Sequence, residues 1–580
     1  MNRHRLTRRR KYERYQMKFC RMLLASFAAC VSLISCGGGG GGDATSSATG
    51  QAVNSSSGGW LTFSPSVVNL TVYQGEPVTF SVIANSSKTI AEKINIGVVD
   101  AVGLITPNVR IVANTKTNYT ATFNTSPSLP VGVHNSVLQV RICFDEPSIC
   151  KQPYTDSPWQ VPIRINVLPA TNLTPLTKLD GDRPWGTVNG NNSHNAYFSG
   201  PVSPGNFTRR WSVQSWRNAQ TSDFNLRSNP SINISGDSII SSIDAGGTID
   251  TGIPVGYLRS QREFDGGVNW DIDLVGGFST FHYPSVSEDR LMVLSVAGSA
   301  GADGRVLSGL RSYNLKTGQL LGQGGSLTFF GVAPFYSGNS IFLGGAFQGK
   351  AEISRSDVHS GVLTWRTVLG AGRFGDSTPA VDSRYVYAFR DPQATATGSV
   401  GGQLVGLDAA TGEIGLNILV PGTKSQPVFQ QAPVLGSNGM VFVESGADAV
   451  GMGVSNKLLA FDTGAKTLKW TLTGNYRSNP VDAAGTLFVL NGYVLEARKP
   501  ADGKLLWSWP IPDHGLGGTE NVNIVVVGNL VFLCARTSTH AVDVTTHQSV
   551  WSYPHSGYLA VSDNGILYIR SYKTVAINLR

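Results

Sequence analysis

A short motif recurs through the last two thirds of the chain and constrains its fold more than any other feature. It runs from a small residue through a spacer and a polar residue into a polar turn, and a tryptophan follows ten positions after the start. It is clearest at residues 460–470, 497–507 and 541–551. A repeat of about 35 to 60 residues with strand-turn-strand chemistry predicts a β-propeller or a solenoid.

Four further copies fit the same frame. Two keep the tryptophan, at residues 260–270 and 355–365, and two have lost it, with Gly322 and Leu416 at its position. The aspartates of the motif recur from copy to copy, which indicates a role in turns rather than in chemistry. The glycines that follow them suit the positive φ of tight connections.

The two ends of the chain supply the eighth copy. Residues 576–580 are the start of the motif without its tryptophan strand, and the missing strand lies far upstream at residues 209–213. An N-terminal strand that completes the last sheet closes a ring and removes its free edges. Trp211 and Trp551 lie 340 residues and seven intervals apart, about 49 residues for each. The sequence therefore predicts an all-β fold with an eight-bladed β-propeller over residues 207–580.

The motif tryptophans are expected to be structural. A flat indole buries a large area between neighbouring blades, and its N–H group can reach a backbone carbonyl. The six are Trp211, Trp270, Trp365, Trp470, Trp507 and Trp551.

The repeat resembles that of the PQQ-like (quinoprotein alcohol dehydrogenase-like) propellers, whose consensus is A-x-D-x-x-T-G-x-x-x-W. The resemblance covers roughly residues 185 to 580 and implies the propeller fold. Residues 185–190, with His194 and Tyr197, resemble the lead-in that precedes many of these propellers. We expect His194 to pack against the ring rather than to act as a ligand or base. The repeat implies no single activity, because it serves both enzymes and non-catalytic scaffolds.

The N-terminus has the features of an export signal. Nine basic residues and one acidic residue precede a run of fourteen apolar or small residues, 22–35, which is too short to span a bilayer. Residues 33–36 resemble the bacterial lipobox, which implies a lipoprotein signal over residues 1–36, a lipid on Cys36 and anchoring to the outer membrane of the cell envelope. An ordinary signal peptide with an incidental cysteine is the alternative, and Met17 is a second candidate start.

Three segments are predicted between the signal and the ring. Residues 37–58 are mostly Gly, Ser, Thr and Ala and are expected to form a flexible linker. Residues 59–168 hold about seven short alternating strands, which predict a β-sandwich that resembles the immunoglobulin-like modules of bacterial surface proteins. Residues 169–206 are rich in Pro, Asn and Gly and form a connector.

Without the signal the chain is close to neutral. The whole sequence carries 46 basic and 38 acidic residues, and removal of nine and one leaves 37 of each. No basic stripe remains to neutralise phosphates, which argues against nucleic acid as a partner.

Three of the six cysteines lie outside the signal. Cys143 and Cys150 flank a predicted hairpin tip, and in an exported chain this spacing favours a disulfide. A pair of metal-binding thiols is the alternative. Cys534 lies in an apolar run and is expected to be a buried, inert thiol.

No catalytic motif was identified in the chain. It contains no G-x-S-x-G, H-E-x-x-H or EF-hand pattern. Quinoprotein dehydrogenases bind PQQ and calcium, cover the quinone with a disulfide between adjacent cysteines, and use a Glu-Asn-Asp metal set. This chain has no adjacent cysteines, and no such metal set is identified.

In its lipobox and ring the chain resembles the outer-membrane assembly lipoprotein BamB, and it differs by the inserted sandwich. The resemblance implies a monomeric, non-catalytic scaffold without a cofactor, anchored to the membrane by its lipid and bound to an unidentified envelope protein. Two alternatives stay open, a PQQ-dependent quinoprotein dehydrogenase and a glycan- or peptide-binding surface lipoprotein.

Overall fold

The computed structural model is all-β. It describes residues 59–580 apart from 180–184, 188, 216–231, 245–255, 275–281, 288, 301–305, 328–334, 348–349, 372, 375–377, 393–400, 424–431, 446–455 and 513–522. The described residues form 42 strands. Two single-turn 3₁₀ helices, Pro204–Asn206 and Ser437–Gly439, are the helical elements in these ranges.

The first eight strands form two four-stranded sheets. They are β1 (Leu61–Ser64), β2 (Val68–Tyr73), β3 (Thr79–Ser86), β4 (Asn95–Val99), β5 (Arg110–Ala113), β6 (Asn118–Asn124), β7 (Gly132–Cys143) and β8 (Trp159–Leu168). One sheet has the order β1-β3-β6-β5 and the other the order β2-β8-β7-β4. Buried side chains of both sheets, among them Val82, Leu138 and Ile163, form one core. This packing of two inner faces is a β-sandwich.

The rest of the chain forms eight more sheets in the described ranges, numbered here in chain order with their strands from first to fourth. They are sheet 1 (Ile232–Ser235, Ser238–Asp244, Gly256–Arg262, Val268–Leu274), sheet 2 (His282–Val286, Arg290–Ala300, Val306–Asn314, Leu320–Leu327), sheet 3 (Phe335–Ser337, Ser340–Phe347, Lys350–Asp357, Leu363–Ala371), sheet 4 (Ala380–Val381 with Arg373–Phe374, Tyr385–Asp391, Gly402–Asp408, Ile414–Val420), sheet 5 (Val434–Leu435, Met440–Ser445, Asn456–Asp462, Thr467–Gly474), sheet 6 (Val481–Ala483, Thr486–Asn491, Val494–Arg498, Leu505–Pro510), sheet 7 (Val525–Val527, Leu530–Cys534, Thr539–Asp543, Ser549–Tyr553) and sheet 8 (Tyr558–Val561, Ile566–Arg570, Lys573–Asn578, Thr208–Gln214).

These sheets are arranged in a ring. The first strands of sheets 1, 2 and 3 lie side by side, and so do those of sheets 6, 7 and 8. The first strand of sheet 8, Tyr558–Val561, also lies against that of sheet 1, Ile232–Ser235. Second strands such as Met440–Ser445 are buried at every position because neighbouring sheets cover both faces. Fourth strands such as Thr467–Gly474 alternate between half-buried and exposed positions, as expected at the outer edge.

Sheet 8 joins the two ends of the ring. Its outer strand, Thr208–Gln214, pairs antiparallel with Lys573–Asn578, near the C-terminus. Trp211 lies opposite Ala576, just as Trp470 lies opposite Ala460 in sheet 5. The pairing expected from the divided motif is therefore present, in the same register as in an undivided copy.

The sandwich contacts the ring at this closing sheet. The Glu76 carboxylate lies 2.6 Å from the Arg209 guanidinium and 3.2 Å from the Lys573 ammonium. The Tyr73 ring packs 5.3 Å from the Tyr553 ring, and the Arg209 guanidinium lies 4.5 Å over Tyr73. Burial raises the pKa of Tyr73 to about 12. One carboxylate thus links the sandwich to both strands that close the ring.

In the sheets that keep it, the motif tryptophan packs against the next sheet. Four of their indole N–H groups donate to a backbone carbonyl of the following sheet, so that a buried polar group is satisfied across each boundary. The donors and acceptors are Trp211 to Glu263 (2.9 Å), Trp270 to Leu315 (3.0 Å), Trp365 to Ala409 (3.2 Å) and Trp470 to Pro500 (2.8 Å).

The turn that receives a tryptophan has little space for a side chain. Gly412 has a φ of +76°, and a Cβ added there would lie 2.7 Å from the Trp365 ring. In sheet 2, Gly322 stands where other sheets have the tryptophan, so no indole reaches the turn of sheet 3. The turn glycine there, Gly361, has a φ of +71°, and a Cβ added to it would have no neighbouring atom within 4 Å. The two glycines share a backbone conformation and differ in whether an indole lies against them.

We predict that truncation of the chain to begin at residue 220 destabilises the ring. The truncation removes Thr208–Gln214 and exposes an unpaired sheet edge. Loss of the buried Trp211 side chain alone is expected to cost about 3–5 kcal/mol. Denaturant unfolding should show a lower midpoint than in a control chain that begins at residue 169, which keeps the connector and the closing strand, and Trp211→Ala in that control chain isolates the contribution of the strand. Equal solubility and equal midpoints for the two truncations would contradict this role of the strand.

We also predict that Gly412→Ala is more destabilising than Gly361→Ala. Both substitutions place alanine at a positive φ, which costs about 1 kcal/mol. Only Gly412→Ala also forces the Trp365 indole to move, and overpacking of this kind adds about 1–3 kcal/mol. The comparison requires the free energy of unfolding of each variant. An equal loss in both would show that the indole does not restrict this turn.

Candidate functional site

The cysteines outside the signal have structural environments. Cys143 and Cys150 form a disulfide with a Cα–Cα distance of 5.5 Å. Together with Asp145 they are the one cluster in the described part of the chain whose ligand atoms lie close enough to hold a metal ion. Because the disulfide uses both thiols, this cluster does not suit a metal. Cys36 and residues 1–58 lie outside the described residues.

The third of these cysteines, Cys534, is buried in sheet 7. Its sulfur lies 2.9 Å from the Gly557 carbonyl oxygen and 3.3 Å from the Thr539 hydroxyl. Burial raises the pKa of the Cys534 thiol. A protonated, enclosed thiol has little reactivity.

The polar residues of the motif stabilise turns. The Asp408 carboxylate accepts hydrogen bonds from the backbone N–H groups of Ala410 and Thr411, both at 2.9 Å. These bonds lower the pKa of Asp408. Asp357 and Asp543 accept equivalent bonds in their own turns. Each carboxylate is occupied by its own loop.

A buried acid joins sheet 1 to the closing sheet, and the sequence gives no sign of it. The Glu263 carboxylate accepts hydrogen bonds from the Tyr568 hydroxyl at 2.9 Å and from the Asn564 amide at 2.5 Å. Its backbone carbonyl accepts the Trp211 indole N–H. Burial raises the pKa of Glu263. The partners all belong to the ring closure, so this acid has a structural environment despite its perturbed pKa.

The connector crosses one end of the ring and bonds to the first strands of most sheets. In each of six first strands, one backbone N–H group near the end of the strand donates a hydrogen bond to an oxygen atom of the connector. These bonds are Ile234 to Trp185 (2.7 Å), Val286 to Gly186 (2.8 Å), Val381 to Asn192 (2.8 Å), Leu435 to Ser193 (2.9 Å), Asp482 to the Asn195 side chain (3.1 Å) and Val526 to Ala196 (2.9 Å). Tyr197–Phe198 then continues as a parallel strand beside Val525–Val527. The lead-in segment is therefore an integral part of the ring.

His194 lies within this crossing and is fully buried. Its Nε2 atom lies 3.0 Å from the Pro379 carbonyl oxygen at the start of sheet 4. The expectation that this histidine packs against the ring is confirmed.

The described residues do not fit the clamp that covers a quinone in the dehydrogenases. That clamp needs two adjacent cysteines, and the chain has none. Cys143 and Cys150 are bonded to each other in the sandwich, and Cys534 is enclosed in sheet 7.

One family model matches part of the chain. The model of the family "Outer membrane protein assembly factor BamB" matches residues 349–578, which extend from sheet 3 to the end of sheet 8. No curated protein matches the chain. Within the described residues, no helix is long and apolar enough to cross a membrane.

Similar solved structures include three proteins. The quinohemoprotein alcohol dehydrogenase ADHIIG from Pseudomonas putida HK5 is 12% identical with a TM-score of 0.44, and the match covers 68% of this chain and 80% of that one. The Dos1 propeller is 11% identical with a TM-score of 0.41, over 59% and 89% of the two chains. Hsv2 from Kluyvelomyces marxianus is 10% identical with a TM-score of 0.34, over 56% and 97%. Likenesses at this level carry no argument about function.

The family match covers five complete copies of the motif, and four of these keep the tryptophan. In the structure the same residues form antiparallel sheets joined to their neighbours around the ring. The chain therefore contains a PQQ-like β-propeller.

Proposed function

We propose that this protein is an exported lipoprotein whose propeller acts as a non-catalytic, protein-binding scaffold in the cell envelope. In this proposal Cys36 carries the lipid that anchors the protein to the outer membrane, and residues 37–58 form the tether. An immunoglobulin-like sandwich follows, and the eight sheets are the blades of one monomeric ring. The observation that carries the proposal is the match of residues 349–578 to the family of the outer membrane protein assembly factor BamB.

The construction of the ring supports a scaffold. The motif polar groups are used in turns, and the connector ties six sheets together at one end. The Glu76 pairs fix the sandwich to the closing sheet. Such an arrangement holds the outer surface of the ring in one shape, which favours binding without reorganisation.

We further propose that the protein partner binds the outer rim of the ring. Aliphatic side chains recur there at one position of the fourth strand, two residues before the tryptophan position. About half of each side chain is exposed: Val268 46%, Leu320 47%, Leu363 54%, Ile414 50% and Leu505 51%. Repeated exposed apolar groups on a folded surface favour contact with another protein.

Site-specific photocrosslinking tests the proposal in cells that produce the full-length protein. A photoreactive residue at Leu505 is expected to capture a discrete envelope protein. The same residue at Val102, which is 62% exposed in the sandwich, serves as the matched control and should capture none. Cys36→Ala should release the protein from the membrane fraction and reduce capture at position 505.

Two results would contradict the scaffold. One is the absence of any captured protein at position 505, or the same capture at positions 505 and 102. The other is substrate-dependent dye reduction by the purified protein after addition of PQQ and calcium, which would favour a quinoprotein dehydrogenase.

A further inference from the structure

Among the described residues, sheets 3 and 8 lack the backbone bond to the connector that the first strands of the other six sheets make. In sheet 3 the equivalent residue is Tyr336, which pairs with Ile341 of the second strand. In sheet 2 the residue that bonds to the connector is Val286, and it pairs with Leu291 in the same way. No described connector residue accepts a hydrogen bond from the Tyr336 backbone N–H group. The connector turns away here, because Thr187 and Gly190 bond to each other in a tight bridge.

A cavity of about 780 Å³ occupies this gap. Its walls come from the connector and from sheets 1 to 4, and they include Thr187, Asn191, Ser285, Tyr336 and Val381. Pockets that bind small molecules have volumes of about 300–1,000 Å³. The cavity is therefore large enough for a small ligand.

Two buried hydroxyl groups in the wall lack a partner. The Thr187 and Tyr336 side-chain oxygens are both buried and make no hydrogen bond to any described residue. The two residues are only 2% and 6% exposed. Burial raises the pKa of Tyr336, so its hydroxyl keeps its proton and remains a donor. An unsatisfied buried hydroxyl is costly, and a ligand with acceptor oxygens would satisfy both.

The charges at the edge of the cavity compensate one another. The Arg290 guanidinium donates to the His359 ring nitrogen at 3.1 Å and lies 3.7 Å from the Asp289 carboxylate. The remaining polar groups of the wall are hydroxyls and amides, and Val286, Val358 and Val381 add apolar surface. This combination suits a neutral ligand that has both hydroxyl groups and C–H faces.

We propose that this cavity binds a neutral, polyhydroxylated small molecule of mono- or disaccharide size, held by the hydroxyl groups of Thr187 and Tyr336. The ligand takes the place that the connector occupies at six other sheets, and its oxygens accept hydrogen bonds from both side chains. The site does not depend on the scaffold function, because it lies at the connector end and not on the outer rim.

Calorimetry and thermal unfolding of the purified mature protein test the site. The probes are glucose, N-acetylglucosamine and trehalose, with glucuronate and glucosamine as charged counterparts. We expect at least one neutral saccharide to bind and to raise the melting temperature. Thr187→Val and Tyr336→Phe should each weaken this binding about tenfold, the effect of one hydrogen bond.

The behaviour of the variants without saccharide separates a binding role from a structural one. Thr187→Val and Tyr336→Phe should leave the melting temperature unchanged or raise it, because neither hydroxyl has a hydrogen-bond partner among the described residues to lose. Tyr568→Phe is the matched control: its hydroxyl donates to Glu263, so the variant should melt earlier and bind saccharide normally.

Three results would overturn the site. The first is no binding of any neutral probe at millimolar concentration, and the second is equal affinity in the parent and in both cavity variants. The third is binding of a charged probe as tight as that of the neutral ones.

Discussion

The pairing of Thr208–Gln214 with Lys573–Asn578 is the interaction on which the rest of the structure depends. It joins strands more than 350 residues apart, and it completes the sheet that lies between sheets 7 and 1. Other contacts converge on the same place. Glu76 bonds to Arg209 and Lys573, one on each of the paired strands. Glu263 links sheet 1 to Tyr568 in sheet 8.

Around the ring, stability is shared among repeated contacts between neighbouring sheets. Where an indole is present, the turn of the next sheet is adapted to it, as Gly412 is to Trp365. Where the indole is missing, the turn can hold a larger residue: Leu416 takes the tryptophan position in sheet 4, and the matching turn residue in sheet 5 is Lys466, with a φ of 56°. In sheet 7 a histidine, His547, stacks on Trp507 with ring centroids 4.5 Å apart. In these examples the residue at the tryptophan position of one sheet and the turn residue of the next sheet therefore vary together.

The repeat allowed much of the ring to be predicted from the sequence. Strand positions, turn roles of the aspartates and the closing strand all follow from the spacing of one motif, because each sheet is a local meander of consecutive strands. The path of the connector could not be predicted in this way. Its bonds to Ile234, Val381 and Leu435 join segments that are far apart in sequence and have no common periodicity.

The sandwich contact and the cavity were unpredictable for the same reason. Glu76 has no feature in the sequence that distinguishes it from other exposed acids, and its role comes from the distant partners Arg209 and Lys573. The cavity exists because the connector bonds to sheets 2 and 4 and turns away from sheet 3. A missing contact of this kind can be recognised only when its equivalents in the other sheets are known.

Native-state hydrogen exchange of the full-length protein tests the closure most directly. We expect amide groups in Thr208–Gln214 and Lys573–Asn578 to exchange with the same free energy as those in central strands such as Met440–Ser445, because the ring opens as one unit. Much faster exchange confined to Thr208–Gln214, with the central strands still protected, would show that this strand frays independently. That result would contradict the claim that its pairing holds the ring together.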